Sequence, residues 1–587
     1  MKRTILIVII LLAALLRLYK LGSVPPSLYW DEASLGYNAY SILKTAKDEH
    51  GKFLPITNFA AYGDYKPPLY IYATVPSIAI FGLNEFAIRF PSAFFGILTV
   101  LLSYLLTRKI FNHNALGDAS GGPPPSAHSG QEDFFSNVKV WEKRGRRAGE
   151  ARGRTQSNLS EDKAEIIALL AAFFLAISPW HLQLSRGAFE GNMALFFSTL
   201  GVYLFLKFVT DKPMYIFFSF LSYLAAIYTF TGQRLFVPFI AILLIVLFRN
   251  EIIKNSKIVI VSAIISFILF WPLLIFATQT LEGRLRFEEV TMFKDLEPID
   301  RARNYQKWDN FSSLSSLIHN RRLIYTREYL INYFDAFNPS FLFTKGDYNP
   351  RFSTQEVGQL YIVDLLIVLA GIYFLFVKRQ KYSLLLIGWL LISPLGPATA
   401  RETPHALRMV HILPTFQIIA AFGFYSLYQF IKAKRLFVLI IFSLLIIQFL
   451  FYLHMYYYHW SKNFAGEWQF GYKQAIEAVK PLYNNYDQIV VSTHLGRPYI
   501  YFLLFNKYDP QKFQENSDVE KDQFYFIEVN GFDKYKFVAD PDQANLPGKK
   551  LFIMPPARAP KDARKLETIK LPNGSTVFEI SEFIPKE

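Results

Sequence analysis

The stretch Trp30-Asp31-Glu32-Ala33-Ser34-Leu35-Gly36-Tyr37-Asn38-Ala39-Tyr40 follows directly on the first long apolar run of the chain. Two adjacent carboxylates open what reads as a short amphipathic helix. Leu35, Ala39, Ile42, Leu43 and Ala46 recur at helical spacing, with Lys44, Lys47 and Asp48 falling elsewhere. Such a helix is expected to lie flat on a membrane surface and to hold Asp31 and Glu32 at the edge of a cavity. Read locally, Asp31 caps the helix and Glu32 suits its first-turn dipole. The rest of the chain adds a second meaning.

Working outward, the composition is that of a membrane protein. Of 587 residues, 52% are hydrophobic, and 57 Phe and 35 Tyr exceed what a soluble core needs. Mean hydropathy is positive. The net charge of +15 would suit nucleic acid, but Lys and Arg cluster between apolar spans, as in cytoplasmic loops, so no nucleic-acid partner is expected. The absence of Cys excludes disulfides, thiolate catalysis and Cys-ligated metals.

Eleven membrane spans are expected, near 4–16, 86–111, 163–180, 188–208, 213–231, 233–249, 258–278, 358–377, 383–399, 408–430 and 436–456. The first is read as uncleaved. With that parity, Lys2-Arg3, Arg108-Lys109, Lys207/Lys212, Arg249/Lys254/Lys257, Lys378-Arg379-Lys381 and Lys432-Lys434-Arg435 all fall on the cytoplasmic side with the N-terminus. Residues 112–160, with Gly121-Gly122-Pro123-Pro124-Pro125 and a basic run, read as a disordered cytoplasmic insert. The fold class is therefore a polytopic α-helical membrane protein with interfacial helices in its first outer loop. Residues 1–460 form the membrane domain, 279–357 a large outer loop with an amphipathic helix through 327–334, and 461–587 a small extracytoplasmic α/β domain. In that domain helices are expected at 473–479 and 498–504, and strands at 488–492, 524–529, 550–554 and 576–580.

Ionisable residues beside apolar spans invite a functional reading. On the side of Asp31 and Glu32 the parity gathers Lys66, Arg89, Arg186, Glu190, Arg234, Arg401, His405 and Arg408. Each Arg taken alone is also a reasonable interfacial anchor or structural ion pair. His181 and His405 lack any HExxH-like spacing, so no metal ligand set is assigned and a divalent ion is left open.

Four ordered pieces carry a family resemblance: Asp31-Glu32; Lys66-Pro67-Pro68-Leu69-Tyr70 with Arg89-Phe90-Pro91-Ser92; Ser178-Pro179 with Arg186 and Glu190; and His405-Ala406-Leu407-Arg408 with Leu413-Pro414. Together they resemble the glycosyltransferase C superfold, in its protein O-mannosyltransferase and aminoarabinose-transferase-like branch, over roughly residues 1–455 without the insert. Glu190 or Asn192 stands where that family has a carboxylate near the fourth span. Tyr65 precedes Lys66 where some aminoarabinose transferases have an acid.

The resemblance implies inverting transfer of a sugar from a polyprenyl-phosphate donor to a hydroxyl at the outer membrane face. The acceptor class (protein, lipid or glycan) is open. Asp31 is the expected general base and Glu32 its partner. Lys66 and Arg408, then Arg234 and His405, would bind the donor phosphate. Arg89, Arg186, Glu190 and Arg401 would line the substrate cavity. A transporter or flippase, or a polymerase of lipid-linked glycans, is the alternative; the first is disfavoured because no repeated broken helices are seen.

Overall fold

A helix lies in every stretch expected to cross a membrane in the computed structural model, which describes residues 1–62, 64–116, 149–378, 380–521, 527–541 and 548–585. The first helices are α1 Lys2–Leu18, α2 Trp30–Thr45, α3 Pro68–Phe81, α4 Glu85–Leu116, α5 Gly149–Ile177, α6 Pro179–Arg186, α7 Glu190–Thr210, α8 Tyr215–Thr229 and α9 Gln233–Leu247. Next come α10 Arg249–Lys254, α11 Ser256–Gln279, α12 Leu281–Val290, α13 Glu297–Trp308, α14 Ser313–Ile318 and α15 Arg321–Asp335. The apolar series ends with α16 Ile362–Lys378, α17 Lys381–Ile392, α18 Thr415–Phe430 and α19 Lys434–His454.

Among the described residues, six helices are long and apolar enough to cross a membrane, or seven if the bent pair α5–α6 is one span. The expected count of eleven is not reached on that measure. The reason is length: α1 and α16 have 17 residues each and α8 and α9 have 15, the shorter pair rising about 23 Å against a hydrocarbon core of about 30 Å. The break between α5 and α6, a bend of 54°, follows from Ser178-Pro179. Ser178 Oγ caps the His181 amide, and Pro179 sits where a missing N–H costs nothing. Of the expected insert, 112–116 continue α4 and 149–160 begin α5, while 117–148 lie outside the described residues.

Helices α16 and α18 approach closely through glycines. A Cβ on Gly423 would sit 1.9 Å from the Ile367 carbonyl oxygen, and one on Gly371 would sit 2.1 Å from that of Ile419. Apolar helices gain little from hydrophobicity in lipid, so such backbone contact supplies their packing.

Beyond α19, the short helices α20 Ser461–Asn463, α21 Tyr472–Val479, α22 Pro498–Phe505 and α23 Pro510–Asn516 accompany a sheet. A hairpin of β1 Phe59–Ala61 and β2 Asp64–Lys66 belongs to the first loop. The sheet strands are β3 Gln488–Ser492, β4 Asp518–Lys521, β5 Ile527–Phe532, β6 Tyr535–Val538, β7 Lys550–Met554, β8 Arg564–Lys570 and β9 Thr576–Phe583. Their order is β4-β5-β6-β3-β7-β9-β8, with β3 central and parallel to β6 and β7. Of the expected strand at 524–529, residues 524–526 lie outside the described residues.

The sheet layer is not a separate body hung from the membrane helices. Leu35, Tyr37 and Ala39 of α2 share one apolar core with Tyr499, Phe502, Leu504 and Phe513. Tyr37 Oη donates to the Tyr508 carbonyl at 3.1 Å, and Gln514 Nε2 to that of Asp48 at 2.9 Å. The helix expected to lie at a membrane surface is thus covered on one face by the C-terminal residues. Gly36 lets Ile88 of α4 and Leu504 of α22 approach α2 together, so even Ser34 and Asn38 are buried.

Replacing Gly423 with Leu forces the α16–α18 contact apart. We expect a loss on the order of 1–3 kcal/mol, read as a lower thermal midpoint in detergent; an unchanged midpoint would contradict this packing.

Candidate active site

The start of α2 is held by an ion pair sealed from water. Arg89 Nε lies 2.9 Å from Glu32 Oε1 and Nη2 lies 2.9 Å from Oε2, with neither side chain exposed. Arg89 also donates to the carbonyls of Leu21, Pro25 and Ser27. The amides of Ala188 and Tyr29 complete the shell of Glu32 at 2.7 and 3.3 Å. Bidentate pairing with every remaining lone pair engaged is what allows two charges to be buried. Arg186 is used in the same way: it donates to the carbonyls of Leu16, Arg17, Tyr19 and Val24 and to Tyr456 Oη. Glu32, Arg89 and Arg186, read from sequence as site residues, therefore sit in the scaffold and away from the cavity wall.

Asp31 faces elsewhere, because one helical residue turns the side chain by about 100°. Its carboxyl is 24% exposed. Lys66 Nζ lies 2.8 Å from Asp31 Oδ1 and 2.7 Å from Asp64 Oδ2. Tyr62 Oη donates to the same Asp31 Oδ1 at 3.2 Å. The hairpin explains the set: alternation along β2 puts Asp64 and Lys66 on one side, while Tyr65 meets Phe276 on the other. Among the described residues no hydrogen bond reaches Asp31 Oδ2, which leaves one carboxylate oxygen for a substrate. Glu190, at the first residue of α7, is buried within electrostatic reach of both Lys66 and Asp31.

A cavity of about 460 Å³ opens beside Asp31, its wall carrying Trp30, Arg234, Arg351, His405 and Arg408. Arg408 donates to the Glu402 carbonyl at 3.0 Å. Arg401 is exposed and ties the rim, its Nε 3.2 Å from the Thr291 carbonyl oxygen. Arg351 was not singled out from sequence. Its guanidinium lies 5.5 Å from the ring centres of both Tyr29 and Trp30, so the aromatic residues leading into α2 pre-orient it. The signal available was an Arg between Pro350 and Phe352 just past the aromatic stretch 341–347.

His405 does not add a charge. Burial, then the nearby Arg408 and Arg351, hold its pKa well below the usual value, so the imidazole is neutral at pH 7. Beneath it, Asp347 accepts from the Ala406 amide at 2.6 Å and from the Asn349 amide at 2.9 Å. This joins the 340–357 segment to the 400–408 link. Burial pushes the Asp347 carboxyl up to about 6 despite those bonds. Among the described residues no group of three or more His, Cys, Asp or Glu has metal-site geometry. The nearest acidic pair, Asp31 and Asp64, already has an ammonium between its carboxylates.

Two outcomes follow from this geometry. Glu32→Gln breaks a buried pair and is expected to cost about 3–5 kcal/mol of stability, whereas Asp31→Asn on the rim leaves the thermal midpoint near wild type. Equal losses would contradict the division between scaffold and site. The raised pKa of Asp347 means its contribution is full below the unfolded value and is lost as pH rises through about 6. The thermal midpoint should therefore fall between pH 4 and 7, and Asp347→Asn should flatten that dependence.

Comparison with known proteins agrees with the architecture. Residues 7–116 match the family model described as dolichyl-phosphate-mannose-protein mannosyltransferase. No curated protein matches the chain in sequence. Among solved structures, apo ArnT from Cupriavidus metallidurans is similar at 10% identity with a TM-score of 0.53, covering 98% of this chain and 97% of that one. ArnT from the same organism bound to undecaprenyl phosphate is similar at 11% identity with a TM-score of 0.52, over the same shares. The chain thus shares the fold of ArnT along its length, and its first spans are similar to the protein mannosyltransferase family model.

Proposed function

We propose that the protein transfers a sugar from a polyprenyl-phosphate donor to a hydroxyl acceptor at the outer face of the membrane, with inversion. The observation that carries this is the Lys66–Asp31 pair at the edge of a cavity whose wall holds three arginines. In a single displacement the acceptor oxygen bonds the anomeric carbon as the bond from that carbon to the phosphate oxygen breaks. Asp31 takes the hydroxyl proton on Oδ2, a role typically worth ~10²–10⁴-fold. The phosphate leaves with one more negative charge than it carried as a diester. Lys66 and Arg408, with Arg234 and Arg351, stand where that charge grows. His405 contributes at most a neutral hydrogen bond. Glu32 supports Asp31 by fixing the first turn of α2.

On this reading the N-terminus is cytoplasmic, and the site and C-terminal domain lie outside. The basic clusters between spans support that orientation. The aromatic and apolar walls suit a lipid donor whose tail stays in the bilayer.

The test is transfer by the purified protein in vesicles, with labelled polyprenyl-phosphate mannose and envelope extract as acceptor. Asp31→Asn should lower kcat by ~10²–10⁴-fold, and Lys66→Ala should lower kcat and raise the donor KM. Asp31→Asn should keep its thermal midpoint, whereas Lys66→Ala, which removes a buried cation from between Asp31 and Asp64, should lower it and is compared on the folded fraction. Movement of intact donor across the vesicle with no glycosidic product would instead identify a flippase.

A further inference from the structure

The C-terminal domain reaches the base through one loop. Residues 493–497, between β3 and α22, lie over the first turn of α2. Gly496, at φ +112°, lets the backbone come so close that a Cβ would stand 2.9 Å from the Trp30 ring. Beside it the Arg497 guanidinium sits 5.4 Å from the centre of the Tyr62 ring. Tyr499 meets the same ring edge-on at 6.2 Å. Tyr62 is 5% exposed, and its hydroxyl is the one that donates to Asp31 Oδ1.

We propose that Arg497 is a positioning residue for Asp31: its cation holds and polarises the Tyr62 ring, so that the phenol hydroxyl stays on Asp31 Oδ1 and Oδ2 stays turned to the cavity. A cation over an aromatic face draws electron density and makes the phenol O–H a stronger donor. Burial and Asp31 hold the Tyr62 pKa well above its usual value, so the proton stays on the phenol. The other groups facing Asp31 are Lys66 on the hairpin, Glu190 at the start of α7, and Arg351 across Trp30. Among the described residues, Arg497 is the cation seen against the Tyr62 ring. Through this relay the C-terminal domain becomes part of the catalytic arrangement, and the proposal rests on Asp31 being the base.

The first arm of the test needs no substrate. A hydrophobic carbodiimide labels carboxyls in the protonated form, and peptide mass mapping gives the rate at Asp31 in the full-length protein at fixed pH. Loss of a hydrogen bond to a charged group predicts faster labelling by about tenfold in Tyr62→Phe and in Arg497→Met, which keeps most of the volume without the charge. Arg497→Lys should stay near the wild-type rate, and Tyr62→Phe/Arg497→Met should label no faster than either single variant. An unchanged rate in Arg497→Met overturns the proposal. So does an additive increase in the double variant, or acceleration in Arg497→Lys equal to that in Arg497→Met. Transfer by Asp31→Asn, measured in parallel, separates the two readings. Full turnover there removes the base itself, whereas an inactive Asp31→Asn with Arg497-independent labelling removes only the relay.

Discussion

The buried pair of Glu32 and Arg89 decides where the first turn of α2 stands. It ties the loop carbonyls at Leu21, Pro25 and Ser27 to α4 and, through the Ala188 amide, to the entrance of α7. A charge pair without water is costly unless each oxygen and each N–H has a partner, so the geometry admits few alternatives. With Glu32 locked, the neighbouring Asp31 is turned about 100° away around the helix, where Lys66 meets it. The scaffold acid and the proposed working acid are adjacent in sequence because a helix separates adjacent residues in space.

Legibility in the sequence followed the range of the signal. Apolar runs located each long helix because hydropathy is a local property, whereas the break at Ser178-Pro179 went unread inside an expected span of 163–180. The number of full spans was not legible: α8 and α9 look like spans by composition and fall short only by length. What covers α2 was not legible for a different reason. Its apolar periodicity was real, but the partner on its second face is α22, more than four hundred residues later in the chain. Nothing in a local window reports that.

The same limit separates the candidate residues. Asp31 and Lys66 were readable through their ordered motifs. The scaffold use of Arg89 and Arg186 was not, since an Arg at a span end looks the same whether it faces a cavity or a set of carbonyls. Arg351 was missed because its partners Tyr29 and Trp30 lie far away in sequence. Neutral His405 shows that a titratable residue in the right place need not carry the expected charge: beside Arg351 and Arg408 its protonated form is disfavoured. The cavity is thus assembled from the first loop, the α8–α9 link, Gly283 with Val290 and Thr291, the 349–352 segment and the 396–408 link.

The central claim is that this cavity receives the phosphate of a lipid-linked donor beside Asp31. The most direct measurement is a cryo-electron microscopy structure of the full chain with undecaprenyl phosphate added. The claim predicts phosphate density within hydrogen-bond distance of Lys66 and Arg408, with Asp31 Oδ2 facing the open space beyond it. Phosphate bound outside this cavity, with Lys66 still clamped between Asp31 and Asp64, would contradict it.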